Sequence, residues 1–191
     1  MTAMVAPAAP SSITVAQLLR DHGGEIFGWL VATLSSETDA SDAFQLFSED
    51  LWHSLARYDG RCSPRTWCYM LARHAAARLH DRRRAQRSVP LSQAPVSALI
   101  LQQRDTTLVH LRTSVKQRLR ALRDQLAPED QTLLILRVDR DLSWRDIALI
   151  TLGESAREPV LARHATVLRK RFERAKQRLR ALAAASAQGP S

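Results

Sequence analysis

The segment VLARHATVLRKRFERAKQRLRAL, residues 160–182, decides the fold of this chain. Its apolar residues recur at alternating steps of four and three, the spacing that lines one face of an α-helix. They are Leu161, Ala165, Leu168, Phe172, Ala175, Leu179 and Leu182. The pattern predicts a helix from Pro159 to Ala184, ~39 Å long at ~1.5 Å per residue.

A shorter helix is predicted just before this long one. Ser143 and Asp146 have the spacing of a capping box, and Gly153 can end the short helix in a left-handed conformation. A short helix followed by a basic helix predicts a helix-turn-helix motif, whose second helix enters the major groove of DNA. A solvated surface helix is the alternative interpretation. The positions off the apolar stripe are Arg163, His164, Thr166, Arg169, Lys170, Arg171 and Arg174.

The first half of the chain is also predicted to be helical. An apolar stripe from Leu18 to Leu34 fits one helix, or a pair broken at Gly23–Gly24. Phe44, Phe47, Leu51 and Leu55 predict a second helix that ends near 58–60, and Ser63–Pro64 is typical of the start of a third. The fold class is therefore all-α, with two small helical domains joined by a flexible linker. The predicted ranges are a disordered tail 1–17, a domain 18–87, a linker 88–107, a helix-turn-helix domain 108–185 and a tail 186–191.

Charge is distributed unevenly over the 191 residues, whose formal net charge is +9 and whose pI is about 10.8. Residues 61–87 and 163–180 each carry eight Lys/Arg against one acid, whereas residues 20–59 carry eight acids against two arginines. Basic segments favour a polyanion such as nucleic acid. The acidic segment favours a second kind of partner, and we interpret that partner as a protein.

Aromatic residues alternate with arginines in the first basic segment. Aromatic faces stack on unpaired bases while arginines hold the backbone, a combination typical of single-strand binding. Trp67 also fits the apolar stripe of the third helix, which favours a packing role. Tyr69 is predicted to lie off that stripe and to be the better stacking candidate. The segment contains Tyr58, Arg61, Arg65, Trp67, Tyr69, Arg73 and His74.

Other classes of protein find little support in the sequence. Metal-ligand clusters, phosphate-binding glycine loops and nucleophile elbows are not recognisable, so neither an enzyme nor a cofactor is expected. Two cysteines, Cys62 and Cys68, are too few for a disulfide framework or, alone, a metal site. Neither a signal peptide nor a membrane span is recognisable, and a cytoplasmic protein is predicted. The narrow apolar seam of the last helix argues against a membrane-surface protein.

Several motifs together resemble the extracytoplasmic-function family of RNA polymerase sigma factors. Residues 39–52 (DASDAFQLFSEDLW), 57–61 (RYDGR) and 64–73 (PRTWCYMLAR) are similar to region two of that family. Residues 126–131 (LAPEDQ), 142–148 (LSWRDIA) and 171–180 (RFERAKQRLR) are similar to region four. The resemblance covers about residues 18–87 and 115–184.

This resemblance implies a dissociable, non-catalytic initiation subunit of bacterial RNA polymerase that captures the melted minus-ten strand. Its implied partners are core polymerase, through the beta-prime clamp and beta flap, and promoter DNA. Anti-sigma proteins are common partners in the family. Implied polymerase-binding residues are Asp39, Asp42, Gln45, Glu49 and Trp52. Implied minus-ten residues are Asp59, Arg61, Ser63, Arg65, Trp67, Tyr69, Arg73 and His74. Implied minus-thirty-five residues are Ser143, Arg163, Thr166, Arg169, Lys170, Arg171 and Arg174.

The chain departs from the family pattern at Leu46, Ser48 and His74, and about ten extra residues lie between Ile150 and Leu168. These extra residues either expand the turn or extend the recognition helix at its N-terminus. The alternative function is a helix-turn-helix regulator that binds duplex DNA without joining the polymerase. That alternative leaves the pattern in residues 39–84 unexplained.

Overall fold

A computed structural model describes residues 13–87 and 121–187, and within these ranges the chain is helical without a β-strand. The all-α prediction is thus confirmed. The predicted linker 88–107, residues 1–12, the start of the predicted helix-turn-helix domain (108–120) and residues 188–191 lie outside the described residues. The helices are α1 (Val15–Leu34), α2 (Glu37–Ser54) with a 3-10 turn (Leu55–Arg57), α3 (Pro64–Arg87), α4 (Pro128–Leu134) with a π-helical end (Ile135–Asp139), α5 (Trp144–Leu152) and α6 (Glu158–Ala187).

The first helix begins inside the predicted tail 1–17 and is not broken. Thr14 and Gln17 form a capping box, so α1 starts at Val15, inside the predicted tail. Of the two alternatives, the single helix is confirmed, because α1 runs through both glycines. Gly23 is buried, with the Phe44 ring 3.6 Å from where a Cβ would lie. Two consecutive glycines lower the helix propensity of α1. The packing of Phe44 of α2 against Gly23 stabilises the helix there.

The first three helices share one apolar core. Trp29 of α1 meets Tyr69 of α3 edge-on, with ring centroids 5.6 Å apart. Phe47 and Leu51 of α2 are fully buried beside them. Ser63 accepts the amide of Thr66 and caps α3, as the sequence predicts. These contacts fix the surface positions of α2 and the loop 58–63 relative to each other.

The last three helices form a second unit. Pro128 lies in the first turn of α4, and Ser143 caps α5 by accepting the amide of Asp146. Gly153 ends α5 with φ of +88°, a conformation that side chains rarely adopt. Ile147 and Ile150 of α5 are fully buried. The predicted cap at Ser143 and the predicted stop at Gly153 are confirmed.

The extra residues before Leu168 mainly lengthen the last helix. The turn comprises residues 153–157, and α6 begins at Glu158, ten residues before Leu168. Its other end, Ala187, lies beyond both the predicted Ala184 and the predicted domain boundary at 185. Of the two predicted alternatives, the extended recognition helix accounts for most of the inserted length.

Candidate nucleic-acid and polymerase interfaces

The outer face of α2 presents polar residues and one large apolar residue. Ala40, Ala43, Phe47, Leu51 and Ser54 bury the opposite face. Trp52 is 71% exposed, the highest value among the large hydrophobic side chains of the described residues. We call the outer set the docking face, and it comprises Asp39, Asp42, Gln45, Glu49 and Trp52.

Part of the acidic charge on α2 is neutralised within the first domain. Arg83 of α3 binds Asp39 and lies 3.4 Å from Asp42. Arg78 of α3 binds Asp50. The interpretation that acidic and basic segments serve only separate external partners is therefore incomplete, because these segments also bind each other. Glu49 remains exposed and is without an ion pair among the described residues.

The loop after α2 is shaped by its own polar groups. Gly60 has φ of +74°. The Tyr58 hydroxyl donates to the carbonyl of Cys62 at 2.6 Å, and Asp59 accepts the Arg61 amide at 3.1 Å. That backbone hydrogen bond, with the Arg61 guanidinium, holds the pKa of Asp59 below its usual value. Asp59, Arg61 and Ser63 stay exposed at the surface.

Arg65 and Tyr69 converge on Glu25, a residue that sequence reasoning missed. The Arg65 guanidinium grips the Glu25 carboxylate, with Nε 3.0 Å from Oε2, and the Tyr69 hydroxyl donates to Oε1 at 2.8 Å. Burial raises the pKa of Glu25, but these hydrogen bonds and the nearby positive charges bring it below its usual value. The available sequence signal for this half-buried pair was an acid next to the apolar stripe Ile26, Trp29 and Leu30.

Tyr69 does not lie off the apolar stripe as predicted, because its exposed fraction is 0%. Burial and its hydrogen bond to Glu25 raise the pKa of its hydroxyl. In this structure its ring cannot stack on a base. The ring instead completes the core against Trp29.

Trp67 is also enclosed, at 3% exposure, and the structure favours the predicted packing role. Its ring lies against Tyr58, with centroids 4.9 Å apart, and its indole Nε1 donates to Glu154 at 3.3 Å. The neighbouring Thr66 donates to Asp146 at 3.0 Å. Glu154 and Asp146 belong to the second unit, so the start of α3 lies at a contact between the two units.

Two further predicted strand contacts lie on α3. His74 is exposed. Arg73 is half-buried and lines a cleft of about 540 Å³ between the two units, together with Trp29, His164 and Arg171. The structure thus leaves His74 open at the surface and places Arg73 at the edge of the second unit.

Residues predicted on the recognition helix divide into two groups. Arg163, Thr166, Lys170 and Arg174 are exposed, and Arg169 lies 6.0 Å from the Trp144 ring centre. Arg171 instead pairs with Glu129 and with the buried Asp130 of α4. Hydrogen bonding to Asp130 raises the pKa of Arg171. Ser143 is occupied in capping α5. Arg171 and Ser143 therefore have structural tasks that the sequence pattern did not distinguish.

Comparison with known proteins decides the family. Residues 18–87 match the family model of sigma-70 region 2. Residues 18–87, which make up the first domain, therefore belong to this family. The fold agrees, since the sigma factor RpoE from Bartonella quintana, solved in complex with the anti-sigma factor NepR, superposes with a TM-score of 0.61 and 18% identity, over 88% of this chain and 95% of that one. The predicted sigma-factor resemblance is confirmed. No curated protein matches this sequence.

The described residues were also compared with the requirements of a membrane span and of a metal site. Within residues 13–87 and 121–187, no helix has the length and hydropathy needed to cross a membrane. In the same part of the chain, no group of three or more His, Cys, Asp or Glu could hold a metal ion.

Proposed function

We propose that this sigma factor is a dissociable initiation subunit that directs core RNA polymerase to specific promoters. The observation that carries the proposal is the docking face of α2, an exposed Trp52 among polar residues on a region 2 domain. An exposed tryptophan surrounded by polar groups is typical of a protein interface hot spot. Its partner would be the beta-prime clamp of the polymerase, in the cytoplasm.

The loop after α2 and the start of α3 would hold the melted minus-ten strand. We call residues 58–74 the strand-capture segment. Asp59, Arg61, Ser63 and His74 are available at the surface for this task. Arg65, Trp67 and Arg73 would add to it where the second domain moves away. Binding the opened strand lowers the free energy of strand separation without any covalent chemistry.

Helix α6 would read the minus-thirty-five element as duplex DNA, while the second domain contacts the beta flap. Arg163, Thr166, Arg169, Lys170 and Arg174 extend from the side of α6 opposite its buried stripe. The guanidinium group of arginine can bind guanine or phosphate with two parallel hydrogen bonds. Arg171, held by two carboxylates of α4, would mainly position this helix.

The test is pull-down with purified core RNA polymerase, followed by run-off transcription on genomic fragments. The wild-type protein should bind core and produce discrete transcripts that depend on both proteins. Gln45→Ala with Trp52→Ala should weaken core binding at least tenfold, a loss typical of a hot-spot pair. The matched control is Val138→Ala, which removes an apolar side chain that is 57% exposed in the second domain. A wild-type protein that binds duplex operators but not core would contradict the proposal and favour a helix-turn-helix regulator.

A further inference from the structure

Two exposed valines lie on the face of α6 that would meet DNA. Val160 is 50% exposed and Val167 is 54% exposed, although the rest of this face is charged or polar. The valines belong to a set of exposed residues at steps of three and four, which places the set along one side of the helix. We call this set the outer stripe, and it comprises Val160, Arg163, Val167, Lys170 and Arg174.

The beginning of the outer stripe lies in the extra length of α6. This helix begins at Glu158, ten residues before Leu168, so Val160 and Arg163 belong to the segment by which the chain departs from the family pattern. Valine favours an α-helix less than alanine, lysine or arginine does. Helix formation therefore does not explain why valine occupies two exposed positions of the stripe.

The extra segment is held against α5 on its inner side. Leu161 is buried there. The Arg145 guanidinium of α5 binds the Glu158 carboxylate through two hydrogen bonds of 3.0 Å. His164 Nε2 lies 2.9 Å from Oγ1 of Thr151, near the end of α5. The outer stripe is therefore carried from its first residue by an anchored helix rather than by a frayed end.

We propose that Val160 and Val167 recognise thymine in promoter DNA by packing against its C5-methyl group. The inference rests on the proposed function and adds a sequence preference to α6. In the major groove, thymine presents a methyl group that apolar side chains contact. The other members of the stripe, Arg163, Lys170 and Arg174, are cations that would bind the neighbouring phosphates and base edges. A stripe with three cations and no acid is complementary to DNA, so DNA is the partner that fits valines placed between them.

The surroundings of Val167 support a site for the edge of a base. Val167 lines a cavity of about 320 Å³ together with Arg171, Arg174, Arg178 and Asp130. Asp130 binds Arg171 and lies 3.6 Å from Arg178, so it neutralises part of this charge. Arg174 has no ion pair among the described residues. A valine beside an unpaired guanidinium suits a thymine methyl group that is next to a guanine or a phosphate.

The distance between the valines predicts the spacing of the thymines. Val160 and Val167 are seven residues apart, which is ~10.5 Å along the helix. Base pairs follow one another about every 3.4 Å along duplex DNA, so the two thymines would be about two to three base pairs apart. A helix without the extra segment would not reach the base pair that Val160 contacts. The extra segment would thus lengthen the sequence that α6 reads.

The test measures what single methyl groups contribute to binding. The full chain selects its preferred sites from a library of random-sequence duplexes, once alone and once bound to core RNA polymerase. Each thymine of the selected duplex is then replaced, one at a time, by uracil, which pairs in the same way and lacks only the methyl group. Fluorescence anisotropy measures the affinity for each duplex.

We expect two thymines whose replacement weakens binding of the wild type about fourfold each, the factor that corresponds to burial of one methyl group. Val160→Ala should abolish the loss at one of them and Val167→Ala the loss at the other, because alanine is too short to reach the methyl group. The matched control is Val138→Ala, which removes an exposed valine of the same domain and should keep both losses. All three substitutions are at exposed positions and should leave Tm nearly unchanged.

Four outcomes would overturn the inference. Uracil that weakens binding nowhere would show that no thymine methyl group is recognised. Losses that persist in both valine variants would assign the recognition to other side chains. Weaker binding of these variants to core, with unchanged recognition of thymine, would assign the valines to a protein interface. Failure of both forms to bind any duplex would remove the DNA partner.

Failure of the proposed function has a different signature. A chain that does not bind core polymerase would overturn that function. The duplexes that the chain selects alone, with their uracil counterparts, would still decide whether the valines recognise thymine.

Discussion

Two arginine-rich helices of similar charge have different surroundings in this sigma factor. On α3, Arg65, Arg78 and Arg83 each bind a carboxylate of α1 or α2. On α6, Arg163 and Lys170 are exposed and without an ion pair among the described residues. Arg171, Lys176 and Arg178 of α6 also bind acids of their own domain. The difference is that the ion pairs of α3 hold it to both other helices of the first domain, whereas Arg163 and Lys170 of α6 present free cations to solvent.

This difference shows that local charge does not identify a DNA-binding surface. The two segments have equal numbers of Lys/Arg and of acids. An arginine that is paired with a carboxylate of its own domain would have to break that ion pair to bind a phosphate. An exposed, unpaired arginine exchanges only water and counterions for the phosphate. We expect α6 to contribute most of the salt-dependent affinity for DNA and α3 to contribute most of the stability.

The largest effect should come from Tyr69, the largest fully buried side chain of α3. Tyr69→Ala should lower the free energy of unfolding by about 3–5 kcal/mol, because it leaves a cavity beside Trp29. Tyr69→Phe should lower it by about 1–2 kcal/mol, because only the hydrogen bond to Glu25 is lost. Urea denaturation measures both. A stable Tyr69→Phe variant with impaired strand binding would instead restore the stacking role.

On α6, Arg171 is less exposed than Arg169 and Lys170, because it pairs with Asp130. Asp130 is 7% exposed and also lies 3.6 Å from Arg178. Asp130→Asn should lower the free energy of unfolding by about 1–3 kcal/mol, because two arginines lose a charged acceptor. Asp124→Asn, at an exposed position of the same domain, is the control and should change thermal unfolding little. Equal effects of the two substitutions would show that Arg171 is not a structural brace.

The pH dependence of stability should reveal the Arg65–Glu25 pair. Because the pKa of Glu25 is lower in the folded protein than in the unfolded chain, the unfolded chain binds more protons in acid. This contribution is fully present above the ordinary glutamate pKa and is lost as the pH falls through the folded value. Glu25→Gln should therefore flatten the acid limb of urea midpoints measured from pH 7 to pH 3. Glu37→Gln, an exposed control, should leave that limb unchanged.

The smallest effect on stability should come from the exposed cations of α6. Arg169→Ala with Lys170→Ala should change the free energy of unfolding by less than about 0.5 kcal/mol. The same pair should weaken binding to promoter duplex and reduce the slope of log K against log salt by about 2, through two lost phosphate contacts. Titrations at several salt concentrations measure this slope. An unchanged slope would place these side chains away from DNA.

The sequence by itself determined that the described part of this protein is helical, and it determined several of the helix ends. The caps at Ser63 and Ser143, the stop at Gly153 and the stripe of α6 were all predictable, because each depends on residues within a few positions of one another. It also determined the family, since the motifs of region two are contiguous. The outer face of α2 followed from the same periodicity.

Only the tertiary structure decided which side chains remain available. Glu25 meets Arg65 across 40 residues of sequence, and Thr66 meets Asp146 across 80. Such pairs depend on which helix faces pack together, and a helical period gives the direction of a side chain without giving its neighbour. For that reason the burial of Tyr69, the brace at Arg171 and the seam between the domains could be found only in three dimensions.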